Sequence, residues 1–381
     1  MGGEVKILFN CTSNTVGGGA KNAAIFIKFA IENKDFLWEF AVSTKVKAIL
    51  EMWKVDCSKM YLFESSPAKN RGSRRRLREL SEFLDVDLVY TMAGPAYVNF
   101  PCKHVLGMSE PYVSHAGWAE ICKGRSLFKA IKTVGLTAYK AFFANKADFW
   151  VFQTDYSKKS FSNRYFISPE KTVTIYNAID MNIVEYFENR HVKGISNGKE
   201  VIVLCPGGPY AHKALDTIPY LAKKLDYNYK DISFKFLLSI DESSDEWLKI
   251  KRLSEQLNIS NKVNTTGSYN YANVNSVLEQ ADIIYVPSIL ETFSASYIEA
   301  FASKVPLVCA DREFSKDVCG NAAVYLDPYN YEMASEHFVD LINSPEKQVE
   351  LINNGLLRLS LYGDQKLRFE KVINYLNSIL K

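Results

Sequence analysis

Two glutamates eight positions apart, Glu291 and Glu299, carry the clearest chemical signal in this chain. They sit in the run ADIIYVPSILETFSASYIEAFASKVPLVCA. Ile283–Val286 is continuously apolar and reads as a buried strand; a Pro-Ser turn follows, then Glu291, then a helix opening near Ala295 with Glu299 about one turn inside it. Glu291 therefore stands beyond the carboxyl end of a strand, where ligands of open α/β sheets collect. The backbone N–H groups of Phe293, Ser294 and Ala295 lie at a helix N-terminus without intrahelical partners, so they can hold a phosphate. Glu299 can accept hydrogen bonds from neutral hydroxyl groups. Two carboxylates around an anion-binding helix start suit a ligand with both phosphate and many hydroxyls, and a nucleotide-sugar is such a ligand. The same pattern also reads as surface glutamates favoured by the helix dipole.

Glycine turns form a second set. Gly17, Gly18 and Gly19 follow the apolar run Lys6–Cys11 and precede a helical pattern from Ala20 to about Asn33. Their amides can approach an anion. The run is neither GxGxxG nor a Walker A sequence, so a ligand loop and a tight strand–helix turn both remain open. Gly207 and Gly208 end the strand Val201–Cys205 in a similar glycine-rich turn. Asp85-Val86-Asp87 is a literal DxD sequence, but it leads into the apolar run LVYTM instead of leaving it. A metal-nucleotide motif needs the opposite end, so a solvated strand start is expected. The seven cysteines contain no CxxC pair, and several lie in apolar runs. That excludes zinc spacing and predicts small buried thiols in a reducing compartment.

These residues need a scaffold. At 381 residues the chain has room for two domains, and 47% hydrophobic with 23% charged residues is ordinary for a globular protein. Short apolar runs alternate with amphipathic helices: Lys6–Cys11, Glu39–Ser43, Met60–Phe63, Leu88–Met92, Val105–Met108, Phe149–Gln153 and Thr172–Tyr176 come first. After a polar, glycine-containing linker at about 189–199 come Val201–Cys205, Phe234–Leu238, Ile283–Val286, Leu307–Ala310 and Val324–Leu326. The alternation predicts an α/β protein of two Rossmann-like, doubly wound parallel-sheet domains, residues 1–190 and 191–364, facing a central cleft.

The Glu291-x7-Glu299 spacing, the blocks FQTDYSKKSF, TIYNAID and CPGGPYAHKALDTI in that order, and the closing PLVCADREFSKDVCGNAAVYLDP resemble the retaining glycosyltransferase family 4 (group 1), which has the GT-B fold. The resemblance is dense from about Phe152 to Pro328 and looser before it, where VYTMAGPAY and Gly17–Gly19 match in kind. It implies an enzyme that moves a hexose or deoxyhexose, with retention and without a metal or cofactor, from a nucleoside-diphosphate sugar to a saccharide acceptor. It also implies that residues 365–381 form a helix returning to the first domain. In its terms Glu291 contacts donor-sugar hydroxyls, Glu299 holds the ribose, and Lys213 neutralises the diphosphate. The amides around Phe293 and Ser294 bind the distal phosphate, and Gly17–Gly19 approach donor or acceptor from the first domain. Asn177 is either a ligand contact or structural. Three positions depart from the family. Gly207 stands where many relatives have arginine, with His212 a candidate substitute. Ser109 and Glu110 stand where a histidine is common, with His115 later and either facing the cleft or structural. Lys304 stands where glycine is usual.

Net charge is only +3 on 46 basic and 43 acidic residues, so wholesale nucleic-acid binding is not implied and any basic surface is local. Arg71, Arg74, Arg75, Arg76 and Arg78 open one helix. Residues 117–147 carry Lys123, Arg125, Lys129, Lys132, Lys140 and Lys146 among Trp118, Phe128, Tyr139, Phe142 and Phe143. Such a surface suits an anionic membrane leaflet and would set the acceptor side against a lipid-linked glycan. A solvated helix face over core aromatics fits equally. The opening MGGEVKILFNC is too short in apolar residues for a signal-peptide core, and no stretch nears the ~18 apolar residues of a membrane span. The expectation is a cytoplasmic protein, peripheral on the membrane.

Overall fold

The computed structural model describes residues 5–15, 17–122, 126–192, 195, 200–269 and 273–381. The chain divides into two units: Met1–Tyr176 together with Gln365–Lys381, and Asn177–Asp364.

The first unit is built on seven parallel strands: β1 (Lys6–Cys11), β2 (Leu37–Ser43), β3 (Tyr61–Phe63), β4 (Leu88–Thr91), β5 (Lys103–Met108), β6 (Phe149–Phe152) and β7 (Thr172–Thr174). Their order is β3-β2-β1-β4-β5-β6-β7, so the direction of winding reverses between β1 and β4. β1 is central and covered on both faces, which is why it reads as an unbroken apolar run. Its side chains alternate: Ile7 and Phe9 enter one core with Phe26, Phe40 and Tyr90, while Leu8 enters another with Phe63, Leu77 and Val89. Phe9 stacks on Phe26 at 4.5 Å. Helix Gln365–Leu380 closes the first core with Phe369, Val372, Ile373 and Leu376. Phe369 packs 4.9 Å from Phe26.

The second unit carries β8 (Val201–Cys205), β9 (Phe234–Leu238), β10 (Val263–Thr265), β11 (Ile283–Val286), β12 (Leu307–Ala310) and β13 (Ala323–Leu326). All are parallel, in the order β10-β9-β8-β11-β12-β13. β10 is a strand the sequence pattern does not predict: three residues, Val-Asn-Thr, at the sheet edge. The core joins one face of the sheet, with Val203, Phe236 and Tyr285, to helix Tyr331–Ile342, where Phe338 meets Tyr285 edge-on at 5.2 Å. This unit starts at Asn177, ahead of the expected boundary at 190/191. Residues 181–190 are tied to it: the Tyr186 hydroxyl donates to Glu279, and Arg190 donates to the carbonyl of Ala281.

Much of the expected linker lies outside the described residues. Four of the seven cysteines are buried and all are free, but Cys122 is exposed. Among the described residues no helix is long and apolar enough to cross a membrane.

Candidate functional site

In the second unit the strand order reverses between β8 and β11, which are paired neighbours. A sheet reversal leaves room beyond the carboxyl ends of those two strands. The chain leaving β8 passes Gly207 and Gly208 and makes a tight turn at Ala211–Lys213. The chain leaving β11 runs to Glu291. The amide of Ile289 donates to the carbonyl of His212 at 2.8 Å and ties the two loops together. Across this tie Lys213 Nζ donates to Glu291 Oε1 in an ion pair whose side chains are only 15% and 12% exposed. Two residues 78 positions apart thus meet because their strands are adjacent at the reversal.

Gly207 lies against this lysine. Its amide donates to Ser239 Oγ at 2.9 Å, and a Cβ built there would sit 3.5 Å from Lys213 Cδ, an ordinary contact. Glycine is therefore not sterically required at 207. Gly208 differs: a Cβ would fall 2.8 Å from the Tyr210 ring. That ring stacks on His212 at 5.6 Å.

Helix Ala295–Ala302 begins directly after the buried residues Thr292, Phe293 and Ser294. Ser294 occupies the N-cap position in extended backbone, but its hydroxyl caps no amide. Phe293 packs edge-on against Tyr362 at 5.7 Å, which fixes the loop. Glu299, one turn into the helix, is half-buried, and the Tyr269 hydroxyl donates to its Oε2 at 3.1 Å. Burial, and then the neighbouring Glu299 carboxylate, push the Tyr269 hydroxyl well above the usual tyrosine range, so it stays a donor. Tyr269 is a site residue the sequence pattern does not reveal. Lys304, in the position where the resemblance places glycine, has φ 55; its ammonium donates to the carbonyls of Glu188 and Arg190 at 2.6 and 3.0 Å.

In the first unit Gly17, Gly18 and Gly19 open helix Gly17–Glu32 beyond the end of β1. Gly17 has φ +54, a conformation that favours glycine, and nothing lies within 4 Å of a Cβ at Gly17 or Gly18. Asn14 Nδ2 donates to the carbonyl of Gly19 at 3.0 Å. β5 leads to Glu110, whose two oxygens accept from Lys140 Nζ at 2.9 and 2.8 Å. His115 follows helix Pro111–Ser114; its Nδ1 lies 2.9 Å from Ser114 Oγ and 3.5 Å from Ser157 Oγ, and its ring packs on Tyr156. In the loop after β4, Ala93 and Tyr97 hold φ of 63 and 60, strained for residues with a Cβ.

On the arginine helix, Arg71–Phe83, Arg71, Arg75, Arg76 and Arg78 are exposed, while Arg74 is partly covered. Arg74 is turned inward: it donates to the carbonyls of Pro67 and Ala68 and lies within 5.7 Å of the Tyr97, Tyr139 and Phe143 rings. Arg76 donates to the carbonyl of Leu62 and covers the Phe63 ring. Arg75 and Arg78 pair with Glu79 and Glu82 one turn on. Lys123 and Arg125 lie outside the described residues. The Asp87 carboxylate accepts from the Lys6 amide at 2.8 Å at the start of β4, an internal structural bond.

Residues 187–358 match the family described as glycosyl transferases group 1. A stretch of 171 residues is 23% identical to the O-antigen chain mannosyltransferase RfbU of Salmonella typhimurium, covering 45% of this chain and 44% of that one; the chain thus spans under half the length of this relative. Among solved structures, the chain is similar to a glycosyltransferase from Rickettsia africae with TM-score 0.71, 17% identity and 99% of each chain covered. It is similar to HepE of Anabaena in complex with UDP and glucose with TM-score 0.69, 15% identity, and 98% and 100% covered. It is also similar to WaaG, a glycosyltransferase involved in lipopolysaccharide biosynthesis, with TM-score 0.68, 14% identity, and 97% and 98% covered.

Proposed function

We propose, from a chain that belongs over residues 187–358 to the glycosyl transferases group 1 and has the GT-B fold, that it is an enzyme moving a hexose or deoxyhexose from a nucleoside-diphosphate sugar to a saccharide acceptor. The setting is surface-polysaccharide or lipid-linked glycan synthesis. The Lys213–Glu291 pair carries this reading.

In glycosyl transfer the nucleoside diphosphate departs with negative charge while the sugar becomes oxocarbenium-like. On this reading Lys213 and the amides at Phe293–Ala295 receive that charge, which is electrostatic catalysis. In the free chain Glu291 neutralises Lys213. Donor binding exchanges the carboxylate for the diphosphate, and Glu291 then accepts hydrogen bonds from the donor-sugar hydroxyls. Glu299 holds the ribose, with Tyr269 fixing its carboxylate. No metal takes part. Retention follows from attack on the face that the diphosphate leaves. The bond from the anomeric carbon to the acceptor oxygen forms as that to the phosphate oxygen breaks, and the acceptor proton passes to the phosphate. The first unit binds the acceptor, beyond the ends of β1, β4 and β5.

The mannosyl and lipopolysaccharide relatives support the saccharide setting, and the UDP-glucose complex of HepE supports a nucleotide-sugar donor. The test is a thermal-shift panel of nucleoside diphosphates. The reading requires at least one to stabilise the chain and Lys213→Ala to remove the effect; no response to any of them refutes it. Gly207 favours a second reading, a nucleotide-sugar-binding partner subunit without turnover. Binding without nucleotide release from any donor and acceptor combination would select it.

A further inference from the structure

Two helices of the first unit meet along matched stripes. On helix Gly17–Glu32, Asn22, Phe26 and Phe29 recur at steps of four and three residues and share one face. On helix Gln365–Leu380, Gln365, Arg368 and Phe369 share a face at i, i+3 and i+4. The aromatic members close on each other, with Phe369 4.9 Å from Phe26 and 5.6 Å from Phe29. The polar members Asn22, Gln365 and Arg368 line a cavity of about 10 Å³ with these rings as its walls, room for one water-sized particle.

Arg368 is the anomaly there. Its Nε is buried, and among the described residues no group accepts a hydrogen bond from it. Burial lowers the guanidinium from its usual pKa, and the neighbour acting the other way is a phenol, Tyr90, not a carboxylate. Tyr90 is itself buried and its pKa raised, so it stays neutral and offsets no charge. A buried cation left without a partner is strongly destabilising. A water in the cavity would accept from Nε and leave the charge unbalanced. A monoatomic anion supplies both the acceptor and the charge, and a polyatomic anion has no room. The carboxamides of Asn22 and Gln365 can donate to such an ion. Gln365 and Arg368 also lie in the first turn of their helix, where the backbone favours an anion. Arg368 is half-buried overall, which leaves the ion a way in.

We propose that this cavity holds a chloride ion, which fastens the returning helix Gln365–Leu380 to helix Gly17–Glu32. The site lies wholly in the first unit and does not depend on the reading of the donor site.

The test is melting of the full chain while potassium gluconate is exchanged stepwise for potassium chloride, at constant ionic strength so that screening does not change. For a unit of this size unfolding on its own, an ion held only by the folded chain raises the melting temperature by about 3–5 °C for each tenfold in chloride above its dissociation constant. Arg368→Met should abolish that rise, and should melt no lower than the native chain in gluconate because an apolar side chain replaces the unbalanced charge. Arg75→Gln, at an exposed arginine already paired with Glu79, should keep the rise. Crystals of the native chain grown in bromide should show an anomalous peak at Arg368 Nε, which decides the matter even where Arg368→Met does not fold. Equal melting in the two salts, a chloride response that Arg368→Met retains, or a water at Nε with no bromide peak overturns the proposal.

Discussion

Replacing Glu291 with glutamine removes the negative partner of Lys213 while keeping the side chain's volume. Both side chains are mostly buried, at 12% and 15% exposure, so the ammonium left behind is poorly hydrated. Breaking a fully buried pair costs about 3–5 kcal/mol, and an exposed pair about 0–1 kcal/mol. This pair lies between, and the amide oxygen still accepts one hydrogen bond, so about 2 kcal/mol is expected. For a unit the size of Asn177–Asp364, unfolding on its own, that lowers the melting temperature by roughly 4–8 °C. The same change should act oppositely on ligand binding. On the proposed reading a diphosphate must displace Glu291 from Lys213 in the native chain; in the variant it meets an unpaired cation. Returning ~2 kcal/mol makes a nucleoside diphosphate bind about 30-fold tighter. Sugar transfer should nonetheless fall, because the carboxylate no longer receives the donor hydroxyls. Differential scanning fluorimetry and titration calorimetry on both proteins read these effects. A variant as stable as the native chain, or one that binds the diphosphate more weakly, refutes the exchange of partners at Lys213.

Gly355 lets helix Ala295–Ala302 approach closely, since a Cβ there would lie 2.7 Å from Phe301 Cδ1. Gly355→Ala should cost about 1–3 kcal/mol in a urea melt and weaken donor binding by shifting Glu299; unchanged stability would contradict this packing. Burial holds the His104 imidazole down to about 3, well below its ordinary value, while Nε2 stays 2.9 Å from Thr91 Oγ1. The unfolded chain therefore takes up a proton below its ordinary histidine pKa of ~6.5 that the folded chain refuses. The His104 contribution is whole above ~6.5 and is lost as pH falls toward the folded value, ~2 kcal/mol of it by about pH 5. His104→Leu should flatten that part of the urea-melt pH profile. At Lys304, glycine relieves the left-handed backbone and gives up two hydrogen bonds, whereas alanine gives them up without relief. Lys304→Ala should therefore be less stable than Lys304→Gly by about 1 kcal/mol, and the reverse order would show that the φ 55 backbone carries no strain.

The fold was legible where physics is local. Buried parallel strands are apolar on both faces, so runs such as VIVLC and IIYV announce themselves. β10 was not legible, because an edge strand of Val-Asn-Thr makes three residues of backbone pairing with little apolar signal. The Glu291–Glu299 spacing and its helix start were readable for the same local reason. The ion pair to Lys213 was not derivable from residue spacing; the family resemblance indicated only the lysine's role. The pair depends on which strands lie side by side at the sheet reversal. Tyr269, 30 residues before Glu299, had no local cue at all. Arg74 shows the opposite error: a run of arginines looks solvated, yet three aromatic rings from distant segments enclose one of them.

The central claim is that Lys213, paired with Glu291 in the free chain, takes the charge of a departing nucleoside diphosphate. The direct measurement is nucleotide release across a panel of nucleotide-sugars, each offered with saccharide acceptors, for the native chain and Lys213→Ala. Turnover of at least one donor by the native chain, lost by about a hundredfold or more in Lys213→Ala, is predicted. Turnover that survives the substitution undiminished would contradict it.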